Sequence, residues 1–237
     1  MTPRRLLAMS AALAITINTA QATAVHAAGA PATWDGLVLV ESKQLDRVYL
    51  LPGADFKSYN KVMLDPTEVA FKENWMRDYN SRAARSGKRL DQSHADQIVK
   101  AVQNGMGDTL ANAYRKAGYQ VVQASGPGVL RVRTGVINLS VTAPDVKTAG
   151  RSRTWSQDAG EATFIVEVRD SETGALLGRA LDRRLAGDSS PYLRNSVTNR
   201  ADFQRMFDDW AKASVAELGK LKAMSPANGA QAVASED

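Results

Sequence analysis

No cysteine occurs among the 237 residues, and that absence removes several kinds of chemistry at once. It excludes disulfides, thiolate metal sites and thiol nucleophiles, and it leaves no cysteine to carry a lipid anchor. Histidine is nearly as scarce, with only His26 and His94. The Gly-x-Ser-x-Gly block of α/β-hydrolases does not occur. No long apolar run follows the first 17 residues, whereas a membrane-spanning helix takes roughly 20. Nor is charge concentrated in one place. Nucleic-acid binders carry a basic stripe with interleaved aromatics, and here both signs are mixed throughout.

What is present starts with an export signal. Arg4 and Arg5 give a positive start, residues 6–17 are apolar, and Ala24-Val25-His26-Ala27 fits the small-x-small cleavage rule. The sequence therefore predicts a signal peptide over 1–27, and a bacterial periplasm suits the composition best. The whole chain carries 30 basic and 25 acidic residues, so loss of Arg4 and Arg5 leaves a charge near +3. That licenses only a weak attraction to anionic surfaces, so a peripheral membrane contact stays open. Residues 28–33 are expected to form a disordered leader and 223–237 a disordered tail. Between them, 34–222 suit one domain.

Two helices stand out. Ser93 is read as an N-cap, with Asp96 placed to favour the positive helix end, and Gly118 as the C-cap. Ile98, Val102, Met106, Leu110 and Tyr114 between them recur every four residues. The second helix, 201–221, carries Phe203, Phe207, Trp210, Ser214, Leu218 and Leu221, with Pro226 beyond. Strands are expected at 48–51, 119–123 and 129–141, the last with a bend at Gly135. A hairpin is expected at 161–169 and 175–184 around Asp170-Ser171-Glu172-Thr173-Gly174. Residues 62–71 are another strand candidate, demoted or bent by Pro66, and Trp75 and Tyr79 mark one face of a short helix at 72–80. Residues 81–89, 143–160 and 186–200 read as loops. Whether 34–92 packs on the domain or forms an N-terminal arm is left open. The fold class is α+β: an antiparallel sheet of four to five strands with two long amphipathic helices on one face.

Several runs resemble a known family: Trp34-Asp35-Gly36-Leu37, residues 59–71 with Leu64-Asp65-Pro66 inside, Gly126-Pro127-Gly128-Val129-Leu130-Arg131, residues 159–174, and Phe207-Asp208-Asp209-Trp210-Ala211. Together they are similar to domain of unknown function 3313 over roughly 34–222. The resemblance implies an exported bacterial envelope protein, related to many lipoproteins, although this chain has no cysteine to acylate. It implies no activity and no catalytic residues. It also suggests a plan like that of small α+β modules accompanying envelope transport and assembly machines, a fold-level analogy that does not fix function.

Chemistry is sparse. Gly187-Asp188-Ser189 matches the nucleophile block of one esterase class, but its histidine base would have to be the distant His94. His94 would need Asp91, Asp96 and Asp108 to hold a metal. Glu161 and Glu167 are about 20 Å apart along one strand, too far for glycoside hydrolysis. Asp65 with Glu68 or Asp145 is a further acid pair. No cofactor is expected. The candidate partner-binding surface is Arg151, Arg153 and Trp155, since tryptophan and arginine concentrate binding energy at interfaces, together with Arg131 and Arg133 on one sheet face. The reading is a non-catalytic binding or accessory module of the cell envelope, its partner an envelope protein or cell-wall component. The alternatives are a hydrolase of cell-wall or lipid material and a carrier of a small apolar ligand.

Overall fold

A computed structural model describes residues 30–84, 89–142, 154–194 and 196–225, without side chains at 154–158 and 188–197. The expected signal peptide, the start of the leader and most of the tail lie outside the described residues. The chain from residue 33 onward forms one compact unit.

It begins with a hairpin. β1 (Thr33–Trp34) and β2 (Leu37–Val40) are joined by Asp35-Gly36, both at positive φ (53° and 80°). Two such residues in a row make the turn whose twist matches its strands. β3 (Arg47–Leu50) ends at Pro52-Gly53 as its sequence signalled. The 62–71 candidate is two strands, β4 (Lys61–Leu64) and β5 (Glu68–Phe71). Proline interrupts the run because it cannot donate to a ladder. Helix α1 (Trp75–Ala83) follows and runs into the expected 81–89 loop.

Helix α2 (Gln92–Lys116) starts earlier than the Ser93 cap predicts. Asp91 is the N-cap: its carboxylate accepts from the His94 backbone N–H at 3.0 Å, and the His94 ring closes a capping box. A carboxylate offers this helix end a full negative charge, which a serine hydroxyl lacks. Gly118 leaves the helix at φ 89°, and β6 (Gln120–Val122) follows.

β7 (Val129–Val141) matches its expected bounds, but the bulge lies at Asn138 rather than Gly135. Ile137 pairs with Thr163 and Ser140 with Glu161, so β7 carries one extra residue there. β8 (Thr154–Asp170) and β9 (Leu176–Arg194) form a hairpin much longer than the one predicted. Residues 154–160 and 186–194, expected to be loops, extend it. Helix α3 (Ser196–Met224) closes the fold, starting inside the expected 186–200 loop and ending inside the expected tail.

Among the described residues nine strands form one sheet in the order β1-β2-β3-β9-β8-β7-β4-β6, with β5 also on β7. It exceeds the expected four to five strands and is mixed rather than antiparallel. β4 and β5 run parallel to β7, and β6 parallel to β4. Residues 34–92, whose placement the sequence left open, are thus woven into the sheet through β2 to β5.

The two long helices cover one face. α3 packs on β8 and β9, and α2 on α3 and the β4–β6 side. Leu130, Val132 and Val136 of β7 join the core with Phe164 of β8, which lies opposite Val136, and Trp210 stacks on Phe164 at 5.2 Å between ring centres. Every residue of the α2 stripe except the half-buried Ile98 is buried. A Cβ on Gly105 would sit 3.3 Å from the Phe207 ring, so the bare backbone lets α2 and α3 approach.

Candidate functional site

The sheet face away from the helices is laced with ion pairs. Arg131 grips Asp65 through Nε at 3.0 Å to both carboxylate oxygens, and Arg133 reaches the same carboxylate at 3.5 Å and Glu68 at 4.0 Å. Hydrogen bonding to Asp65 raises Arg131 above its ordinary pKa. The two arginines do share a face, and their partners are acids of their own chain. Glu161 is held by Lys72 at 3.1 Å and Arg183 at 2.5 Å. Burial works to raise this carboxyl, but the two cations outweigh it and hold its pKa below the usual value.

Glu167 belongs to a tighter group that the sequence did not single out. Arg179 is only 9% exposed; it donates to Glu167 at 2.8 Å and to Asp35 at 2.9 Å, and its guanidinium lies 4.0 Å over the Trp34 ring. Trp34 in turn meets Tyr49 edge-on at 5.6 Å. Cation–π contact and paired hydrogen bonds pin the β1–β2 hairpin to the sheet. The available signal was Trp34 followed directly by the Asp35-Gly36 turn.

On the helix side, the buried Asp182 carboxylate accepts from Trp210 Nε1 at 2.8 Å, Arg184 Nε at 2.5 Å and the Asp46 backbone N–H at 3.1 Å. These donors make it a structural clasp. His94 serves the α2 cap, and among the described residues no three His, Asp or Glu side chains gather as metal ligands.

The proposed contact surface divides in two. Arg151 and Arg153 lie outside the described residues. Trp155 stands in β8 with its backbone paired to Leu193, and Arg131 pairs with Arg169. Fourteen residues of strand separate positions 155 and 169, about 45 Å at strand rise. Trp155 and the Arg131–Arg133 pair therefore occupy opposite ends of the sheet.

Around Trp155 the backbone geometry is unusual. β7 pairs with β8 only as far as Gly160, and β3 with β9 only over 178–181. Residues 154–158 and 187–194 continue as a two-stranded ribbon that no third described strand joins. Within it, Ser156 faces Tyr192 and Asp158 faces Gly187, so five steps of β9 oppose two of β8. The Gly187-Asp188-Ser189 block sits in this outward irregularity. At the ribbon's root, Gly160 is at φ 154°, and a Cβ there would fall 1.9 Å from the Ser140 carbonyl oxygen.

A cavity of about 40 Å³ lies between α3 and the sheet, walled by Val48, Val166, Gly178, Ala180, Ser214 and Leu218 among others. Among the described residues no helix is long and apolar enough to cross a membrane.

No curated protein matches the chain. Among solved structures, it is similar to a PelC dodecamer subunit from Paraburkholderia phytofirmans, with 12% identity over 68% of this chain and 94% of that one, TM-score 0.34. A protein from Xanthomonas campestris is similar at 11% identity over 73% and 91% of the respective chains, TM-score 0.41. A neuraminyllactose-binding hemagglutinin homologue from Helicobacter pylori shows 10% identity over 78% and 90%, TM-score 0.37. A family profile matches residues 26–214, most of the chain, so the protein belongs to the family of proteins of unknown function DUF3313.

Proposed function

We propose that the protein is an exported, non-catalytic binding module of the bacterial cell envelope, acting in the periplasm, and that the ribbon of β8 and β9 is its contact surface. One observation carries this reading. Residues 154–158 and 187–194 present strand edges with no described neighbour on either side, and a free edge pairs readily with an added strand. Trp155 on this ribbon supplies the residue type that anchors interfaces. The Arg131–Arg133 pair, already engaged with Asp65 and Glu68, is the weaker half of the candidate surface. The partner is a protein or polymer of the envelope.

The alternatives draw less support. Of the acids named for hydrolysis, Asp65, Glu68, Glu161 and Glu167 each pair with arginine, and Asp145 lies outside the described residues. The cavity, at about 40 Å³, has no room to enclose a drug-sized cargo, whose sites run to roughly 300–1,000 Å³. Affinity capture from a periplasm and envelope extract tests the proposal. The wild-type chain retains a defined partner and Trp155→Ala loses it, whereas Arg131→Ala keeps it. Failure of the wild-type chain to capture any partner, or loss in Arg131→Ala alone, would overturn the assignment.

A further inference from the structure

Independently of the ribbon, the cavity behind the sheet has the makings of a small-molecule site. Its walls come from three strands and two helices: Val48 and Leu50 of β3, Val166 and Val168 of β8, Gly178 and Ala180 of β9, Tyr114 of α2, and Leu218 and Leu221 of α3. The room exists because β9 contributes its smallest side chains where its neighbours contribute valine and leucine. Into this half-open apolar recess α3 turns Ser214, a residue only 6% exposed whose Oγ has no hydrogen-bond partner. A buried hydroxyl left unpaired is unfavourable by about 1–3 kcal/mol, and a ligand offering it a partner recovers that loss. Glu217, also in this wall, is already bound by Ser42 Oγ at 3.1 Å and Lys220 Nζ at 2.7 Å.

We propose that this cavity binds a short aliphatic molecule with a single hydrogen-bonding group, an alcohol or ketone, seated with that group on Ser214 Oγ. The apolar walls take the chain and the serine takes the oxygen. A volume of about 40 Å³ exceeds the room one water needs and limits the enclosed part to a few carbon atoms. Arg179 also borders the cavity, but its guanidinium is committed to Glu167 and Asp35, so a carboxylate or phosphate head would find no unpaired cation there and is disfavoured.

The test uses the full chain with methyl groups labelled for NMR and 1-butanol as the probe. Saturable shifts confined to the methyls that line the cavity, those of Val48, Leu50, Val166, Val168, Leu218 and Leu221 among them, are expected. Ser214→Ala keeps the cavity and weakens 1-butanol about fivefold, the loss of one hydrogen bond. Ser214→Leu fills the space and abolishes the shifts. Circular dichroism establishes that each variant is folded, and if Ser214→Leu is not, Ser214→Ala alone decides. Shifts that rise linearly without saturating, that spread over surface methyls, or that persist unchanged in Ser214→Ala would overturn the proposal.

Discussion

Gly160 is where the chain tolerates least change. It sits where β7, β8, β9 and α3 converge, and an added Cβ would meet the Ser140 carbonyl oxygen at 1.9 Å and the Phe203 ring at 2.9 Å. The carbonyl belongs to the β7 backbone and cannot rotate away as a side chain could. Gly160→Ala is therefore expected to lower the unfolding free energy by about 3 kcal/mol or more in urea denaturation. Trp210 illustrates a different dependence. Its ring is wholly buried on Phe164, and its Nε1 donates to Asp182. Trp210→Phe keeps most of the packing and removes that donor. A loss of about 2 kcal/mol is expected, the usual size for a hydrogen bond to a charged group. Asp182 keeps Arg184 and the Asp46 N–H, so the same denaturation series should show a lowered midpoint and an unchanged slope.

At the scale of elements, patterns with a local cause were legible. The stripe of α2, at intervals of four, and that of α3, at intervals of three and four, appear as buried faces apart from the half-buried Ile98 and Leu221, and alternation placed β7 and the inner half of the β8–β9 hairpin. Elements set by distant partners were not. β1 and β2 have two and four residues, too few to show a period. β5 is a strand because β7 supplies its ladder, and the half-polar run Glu68-Val69-Ala70-Phe71 signals that weakly. The outer hairpin is polar, with Gly187, Ser189, Ser190 and Pro191 interrupting it, so local chemistry argued for a loop while β8 and β9 paired across it. The same reason hid the candidate site: Trp155 read as part of a loop near other arginines, and only the pairing separates it from Arg131 and Arg133. The α2 cap was misplaced by two residues because Asp91 and Ser93 are both good capping residues. His94 favours the former by completing the capping box.

For the whole molecule, the ion pairs that lace the sheet make stability depend on acid. Asp170 holds its carboxyl below the usual range through the Thr173 backbone N–H and hydroxyl, with Tyr59 donating as well. Glu161 is also held low, by Arg183 and Lys72 against the opposing effect of burial. A carboxyl whose folded pKa is depressed stabilises the fold above its unfolded value of about 4. That stabilisation disappears as pH falls through the lower folded value. Urea midpoints should thus be level above about pH 5 and fall steadily below pH 4, with a shallower fall in Asp170→Asn.

Around this sheet the functional claim concerns one end of one hairpin. Hydrogen exchange on the protein, alone and with its captured envelope partner, tests it most directly. The account predicts that backbone amides of 154–158 and 187–194 gain protection on binding, while those of 129–133 at the far end keep their free-state rates. Protection gained at 129–133 with the ribbon unchanged would contradict it.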